Sequence, residues 1–109
     1  MAKYLISFPS ATMVVADADL PAVAEASHEV IREAKAAGVY VFGGGIDERV
    51  APVLVHADGS VTPETSRLDG GFCVLEVPSR AEAEGWAARL AAACRTPQEL
   101  RQFGYDPES

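Results

Sequence analysis

The order of apolar segments in this 109-residue chain predicts an α+β domain with two helices on one face of an antiparallel sheet. Two helical patterns, with apolar residues every three or four positions, alternate with short runs of β-forming residues. Glycine, proline and capping signals separate these segments. The resulting order is β-α-β-β-α-β, which is the ferredoxin-like arrangement. Residues 1–109 are expected to form one domain, because a chain of this length supports a single core.

The first strand and the first helix have clear limits. Residues 3–8 read KYLISF, a run of β-formers that Pro9 ends. The helix is predicted to start at Asp19, with Pro21 in its first turn, and to end at Gly38. Its inward positions are Leu20, Val23, Ser27, Ile31 and Ala34.

Three further strands are predicted over residues 39–42, 52–57 and 70–77. The dipeptide Asp58-Gly59 marks a turn after the second of them.

A second helix follows the last of these strands. Ser79 and Glu82 have the spacing of a capping box, in which the glutamate side chain reaches back to the serine backbone. The inward positions of this helix are Ala83, Trp86, Leu90 and Ala93. After the helix, a short closing strand is predicted from Leu100 to Phe103.

The glycines Gly43, Gly44 and Gly45 follow an apolar run, as the glycines of phosphate-binding loops do. Such loops need a helix directly after the glycines, so that its N-terminal N–H groups face the phosphate. Here Pro52 and β-branched residues indicate another strand instead, and no Gly-Lys-Ser/Thr follows. The glycines are therefore predicted to permit a bulge, a bend or the close approach of a ligand to the backbone.

The charge and composition of the chain limit the kinds of partner that it can bind. The chain has 9 basic and 16 acidic residues, a formal charge of −7, which repels nucleic acid and anionic membrane surfaces. No segment has the length of a membrane span or the form of a signal peptide, so a cytoplasmic protein is expected. Cys73 and Cys94 lack metal-ligand spacing and are expected to be buried, reduced thiols. No metal or other cofactor is predicted.

The strands predict a homodimer. A sheet with one face in water should alternate apolar and polar residues, but residues 3–8, 39–42 and 70–77 are apolar on both faces. The chain has no third helix to cover the second face, and a large exposed apolar face is rare in monomers. Two copies packed sheet against sheet would cover it and would enclose a cavity.

Four segments, KYLISF, EAKAAGVYVFGGGI, LDGGFCVLEVPSRAEAEGWAARLAAAC and QELRQFGYDP, together resemble the YCII-related proteins, including their DGPF-domain branch. The resemblance covers nearly the whole chain and implies a dimeric α+β barrel that binds a small organic molecule. It also implies a functional pair formed by a histidine on the first helix and an aspartate after the glycine-bearing strand. These residues are His28 and Asp47. The loop VTPETSRLDGG departs from the family, because it lacks the Asp-Gly-Pro-Phe motif.

His28 and Asp47 are the candidate catalytic residues. The alternatives are a surface or dimer-contact imidazole for His28 and a turn residue for Asp47. Candidate ligand contacts are Gly43, Gly44, Gly45, Glu64 and Tyr105.

Two classes of function remain open. The first is an enzyme of isomerase, lyase or dehydrochlorinase type, in which His28 moves a proton in the dimer cavity. The second is a non-catalytic binding or regulatory module of the same fold.

Overall fold

The computed structural model describes residues 1–109 and shows a small α+β domain. The helices and strands are β1 Ala2–Phe8, α1 Leu20–Ala36, β2 Tyr40–Gly45, β3 Leu54–Val55, β4 Val61–Thr62, β5 Gly71–Val77, α2 Arg80–Cys94 and β6 Glu99–Gln102. The main sheet is antiparallel and has four strands in the order β2-β5-β1-β6. This is the strand order of a ferredoxin-like fold, so the predicted α+β class is confirmed.

The core lies between the two helices and one face of the sheet. Alternate residues of β1 and β5 point toward the helices, and the register pairs Tyr4 with Leu75 and Ile6 with Cys73. These four side chains are buried. They belong to one cluster with residues of both helices, so α1 and α2 cover the same face.

The helix boundaries follow the local signals. Asp19 directly precedes α1, but its carboxylate pairs with Arg95 instead of capping the helix. Gly38, just after α1, has a φ of +75°, a conformation that favours glycine. The Ser79 hydroxyl accepts a hydrogen bond from the Glu82 N–H at 3.2 Å and so caps α2.

The prediction for residues 52–57 was only partly right. Just two of these residues, Leu54–Val55, form a strand, and they pair with Val61–Thr62 in a separate two-stranded sheet. The Asp58-Gly59 turn is present, because the His56 N–H donates to the carbonyl of Ser60 at 2.8 Å. Because β3 and β4 pair only with each other, neither joins the main sheet, and β5 pairs with β2 there.

Residues 46–69 form an arm that leaves the main sheet and returns to it. Within the arm, β3 and β4 pack mainly against each other. Its large apolar side chains are exposed: Ile46, Val50, Val53, Leu54, Val55, Val61 and Leu68.

The second face of the main sheet, here called the open face, is not covered by any helix. Phe42 and Leu5 both pair with Val74 on this face, and Phe72 lies next to Val74 along the same side of β5. Phe42 is 65% exposed. The centre of the open face is therefore apolar, as the sequence predicts.

No helix of the protein has both the length and the apolar character needed to cross a membrane.

Candidate functional site

A cavity of about 620 Å³ lies between α1 and the sheet, and we call it the α1 cavity. Its lining combines one face of α1 with the glycine-bearing part of β2 and the start of β5. It therefore lies within one chain, on the helix-covered side of the sheet, and the expectation that His28 faces a cavity between the sheets of two copies is wrong, because α1 covers the opposite face. His28, Gly43, Gly44 and Gly45 all line it. The structure thus brings together residues from two separate parts of the predicted site.

Glycines form the floor of the α1 cavity. Gly43 pairs with Cys73 and Gly45 pairs with Gly71, so these positions share the face that looks toward the helices. Three of the four positions have no side chain, which leaves open space between α1 and the backbone. The glycine cluster lies inside β2 rather than after it, and its lack of side chains leaves the strand backbone facing the cavity.

Aromatic rings take part of the space that the glycines leave. A Cβ atom at Gly43 would lie 2.8 Å from the Tyr40 hydroxyl and 3.1 Å from the Phe72 carbonyl oxygen. A Cβ atom at Gly71 would lie 2.7 Å from the Phe8 ring. Tyr40 and Phe8 therefore pack directly on glycine backbone.

The backbone of β2 also offers hydrogen-bonding groups. β2 is an edge strand. The Ile46 N–H donates to the Gly70 carbonyl at 2.9 Å, and bonded pairs alternate along an antiparallel ladder. By this alternation, the N–H and C=O groups of Gly43 and Gly45 point away from β5, toward the free edge. They are available to a ligand.

The α1 side of the cavity carries its two basic groups. Ser27, His28, Ile31 and Lys35 line it, and their spacing of three or four residues places them on one face of the helix. His28 is an exposed residue at the border of this face. Its imidazole makes no hydrogen bond within the protein, so both ring nitrogens are free to meet a ligand.

Lys35 and Tyr40 form a contact at one end of the cavity. The Lys35 ammonium nitrogen lies 5.3 Å from the centroid of the Tyr40 ring, within cation–π range. Burial, and secondarily the neighbouring Cys73, raise the pKa of Tyr40 above its ordinary value. The phenol is therefore neutral at pH 7 and can donate a hydrogen bond.

Part of the cavity lining is apolar and uncharged. Leu90, Cys73 and Cys94 belong to this part. Both cysteines are buried free thiols, and burial raises the pKa of Cys94 and raises that of Cys73 to about 11. Neither thiol carries charge near neutral pH.

Asp47 is placed differently from His28. It does not line the α1 cavity, and its two carboxylate oxygens accept hydrogen bonds from the Arg49 guanidinium at 3.0 and 3.1 Å. These bonds, together with one from the Arg49 N–H, lower the pKa of Asp47. No hydrogen bond joins Asp47 to His28. A direct pair between them stays a prediction.

The other two candidate contacts also lie outside the α1 cavity. Glu64 is an exposed residue in the loop after β4. Tyr105 is 92% exposed and lines a separate groove of about 520 Å³ on the open face, beside Phe103 and Val74. His56, in the arm, lies 3.1 Å from the Thr62 hydroxyl oxygen and has a local contact in the hairpin.

Sequence reasoning missed Lys35, Tyr40 and Gly71 as parts of the site. Lys35 lies two helical turns after His28, so the helical period could have placed them on one face. The position of Gly71 depends on the β2–β5 register, for which the sequence carries no local signal.

No family model matches this chain, and no curated protein is significantly similar to it in sequence. No group of three or more histidine, cysteine, aspartate or glutamate side chains is placed to hold a metal ion.

Proposed function

We propose that this chain is a YCII-like protein that binds a small organic molecule in the α1 cavity, where His28 transfers a proton. One observation carries the proposal: the His28 imidazole and the backbone of Gly43, Gly44 and Gly45 line the same cavity. Its volume falls within the range of small-molecule sites, roughly 300–1,000 Å³. The sequence resemblance and the ferredoxin-like strand order support the same assignment.

The chemistry available to such a site is acid–base. An imidazole can accept and return a proton near neutral pH, which suits an isomerisation or an elimination. The Tyr40 hydroxyl and the outward N–H group of Gly43 or of Gly45 would each donate a hydrogen bond to an oxygen atom of the ligand, as backbone donors do where negative charge develops. Asp47, which accepts from Arg49 and makes no hydrogen bond with His28, would orient the imidazole only if the two side chains came into contact.

Binding can be tested with phenol as a neutral probe, followed by amide chemical shifts. Phenol should shift the signals of His28, Gly43 and Gly45. The variant Ala24→Phe, which places a ring into the cavity wall, should abolish these shifts, whereas Ala22→Phe, at an exposed position of α1 outside the lining, should retain them. Shifts confined to the open face would contradict the proposal.

The second candidate function is a binding module without catalysis, and the unpartnered imidazole of His28 favours it. General bases are commonly oriented by a hydrogen bond to a third group, and His28 has none within the protein. Phenol titration of the His28→Ala variant separates the two. If His28 exchanges a proton or a hydrogen bond with the ligand, the variant should bind phenol more weakly than the wild type, whereas in a simple binding module it should bind phenol equally well.

We further propose that the protein is a homodimer. Its accessible surface is 7302 Å², whereas a compact monomer of 11.5 kDa exposes about 5,800 Å². Its radius of gyration is 15.7 Å, against about 13 Å for a compact chain of this length. The difference in area, roughly 1,500 Å², is in the range that a subunit of an obligate dimer buries.

The surfaces that a second copy would cover are the open face and the arm. Phe42, Phe72 and Val74 form the apolar centre of the open face, and the arm adds a row of exposed β-branched residues. An isolated two-stranded hairpin is only marginally stable in water, so the arm gains order when it packs against another surface.

A further inference from the structure

The charges around the α1 cavity differ from those of the whole chain. The protein has 16 acidic residues and a formal charge of −7, yet no aspartate or glutamate lines this cavity. Its only charged lining residue is Lys35, and its only other basic group is His28. A cavity that lacks carboxylates in an acidic protein does not repel an anion at short range.

The other polar groups of the lining are neutral. The Cys73 and Cys94 thiols and the Tyr40 phenol all have raised pKa values because they are buried, so none contributes a negative charge near pH 7. The remainder of the lining is largely apolar, with Phe8, Ile31 and Leu90 among it. The cavity therefore combines a largely apolar lining with two basic groups, both on α1.

We infer that the α1 cavity binds a small apolar molecule that carries a carboxylate or a similar oxyanion, with the anionic end at Lys35 and His28 and the apolar end toward Leu90. This inference rests on the proposed function, because it assigns a ligand class to the same site. The Lys35 ammonium supplies a full positive charge, which outweighs the roughly half negative charge of the α1 C-terminus beside it. The outward N–H groups of Gly43 and Gly45 add donors at the free edge of β2.

Phenylacetate and phenylacetamide are suitable probes, because they have nearly the same shape and differ in charge. Their dissociation constants can be measured by amide chemical-shift titration of the full chain at moderate salt. We expect phenylacetate to bind up to about fivefold more tightly than the amide, since an ion pair with an exposed lysine contributes at most about that much affinity. The variant Lys35→Met should bring the two affinities to within about twofold of each other while leaving the amide affinity unchanged.

The chain contains one other lysine, Lys3, which provides a matched control. Lys3 pairs with Glu76 on the open face, and Lys3→Met changes the net charge by the same amount as Lys35→Met. The preference for phenylacetate should persist in Lys3→Met. If both variants lose it equally, the preference comes from net charge and the inference is overturned.

Two further outcomes separate this inference from the proposed function. Equal binding of both probes in the α1 cavity, unchanged by Lys35→Met, would overturn the ligand class and leave the binding site in place. Absence of binding by both probes and by phenol would overturn the ligand class together with the proposed function.

Discussion

The Tyr40 hydroxyl lies over the backbone of Gly43, at a point where a Cβ atom on that glycine would be 2.8 Å from the hydroxyl oxygen. Both residues face the helices, because the register of β2 shifts between Tyr40 and Phe42. The tyrosine thus borders the α1 cavity, and the glycine leaves the space that its ring uses.

Replacing Gly43 with alanine should disturb this contact. The new methyl group would also meet the Phe72 carbonyl oxygen at 3.1 Å, whereas a methyl group at Gly44 would meet only the Phe42 ring, at 3.8 Å. We expect Gly43→Ala to have a free energy of unfolding about 1 kcal/mol lower than Gly44→Ala, measured by urea denaturation. Adding Tyr40→Phe should recover part of this loss, because it removes the closest atom. Equal stability of the two glycine variants would contradict the geometry.

Gly70 should tolerate no side chain. Its φ is +88°, and a Cβ atom there would lie 1.9 Å from the Phe8 carbonyl oxygen. Gly59 has a similar φ of +87° but open space around it. A substitution at Gly59 therefore measures the effect of backbone strain alone, whereas one at Gly70 adds a steric clash. We expect Gly59→Ala to lower the free energy of unfolding by about 1 kcal/mol and Gly70→Ala to lower it by about 3 kcal/mol or to prevent folding. Thermal unfolding followed by circular dichroism would show whether the two variants differ.

The proposed dimer can be measured directly. Size-exclusion chromatography with light scattering should return about twice the 11.5 kDa chain mass. Phe42→Lys places a charge at the centre of the open face and should yield monomer or aggregate, because a buried unpaired charge costs several kcal/mol, about 3–5. Val14→Lys, at a position that is 88% exposed and outside both proposed contact surfaces, should leave the mass unchanged. A monomeric wild-type protein at micromolar concentration would refute the dimer.

Alkaline pH should destabilise the protein through Cys73. Burial raises the pKa of its thiol from 9.0 to about 11 in the folded chain. Between these values the unfolded chain has released the proton and the folded chain retains it, so the free energy of unfolding falls as pH rises. The full effect is about 2–3 kcal/mol. Urea denaturation at pH 8 and pH 10.5 should show a smaller decrease in Cys73→Ala than in the wild type. Parallel decreases would exclude a contribution from this thiol.

Much of the fold could be predicted because its signals are local. Ser79 caps α2, Gly38 follows the end of α1, and the β-forming run from Gly71 to Val77 forms β5. Each of these features depends on residues that are only a few positions away in the sequence. The pairing of strands depends on distant residues, which is why only two of the residues at 52–57 became a strand and why they lie outside the main sheet.

The sequence alone therefore determined the α+β class, the start of each helix, the end of α1 and the apolar centre of the open face. The tertiary structure decided which residues share a cavity. His28 shares a cavity with Gly43 and Gly45 because α1 packs on the face of the sheet that these glycines share, and Gly71 joins them through the β2–β5 register. Asp47 instead binds its near neighbour Arg49. A helical or β-forming pattern reports where side chains point within one element, whereas a cavity depends on how two elements pack, and that depends on contacts between residues far apart in the chain.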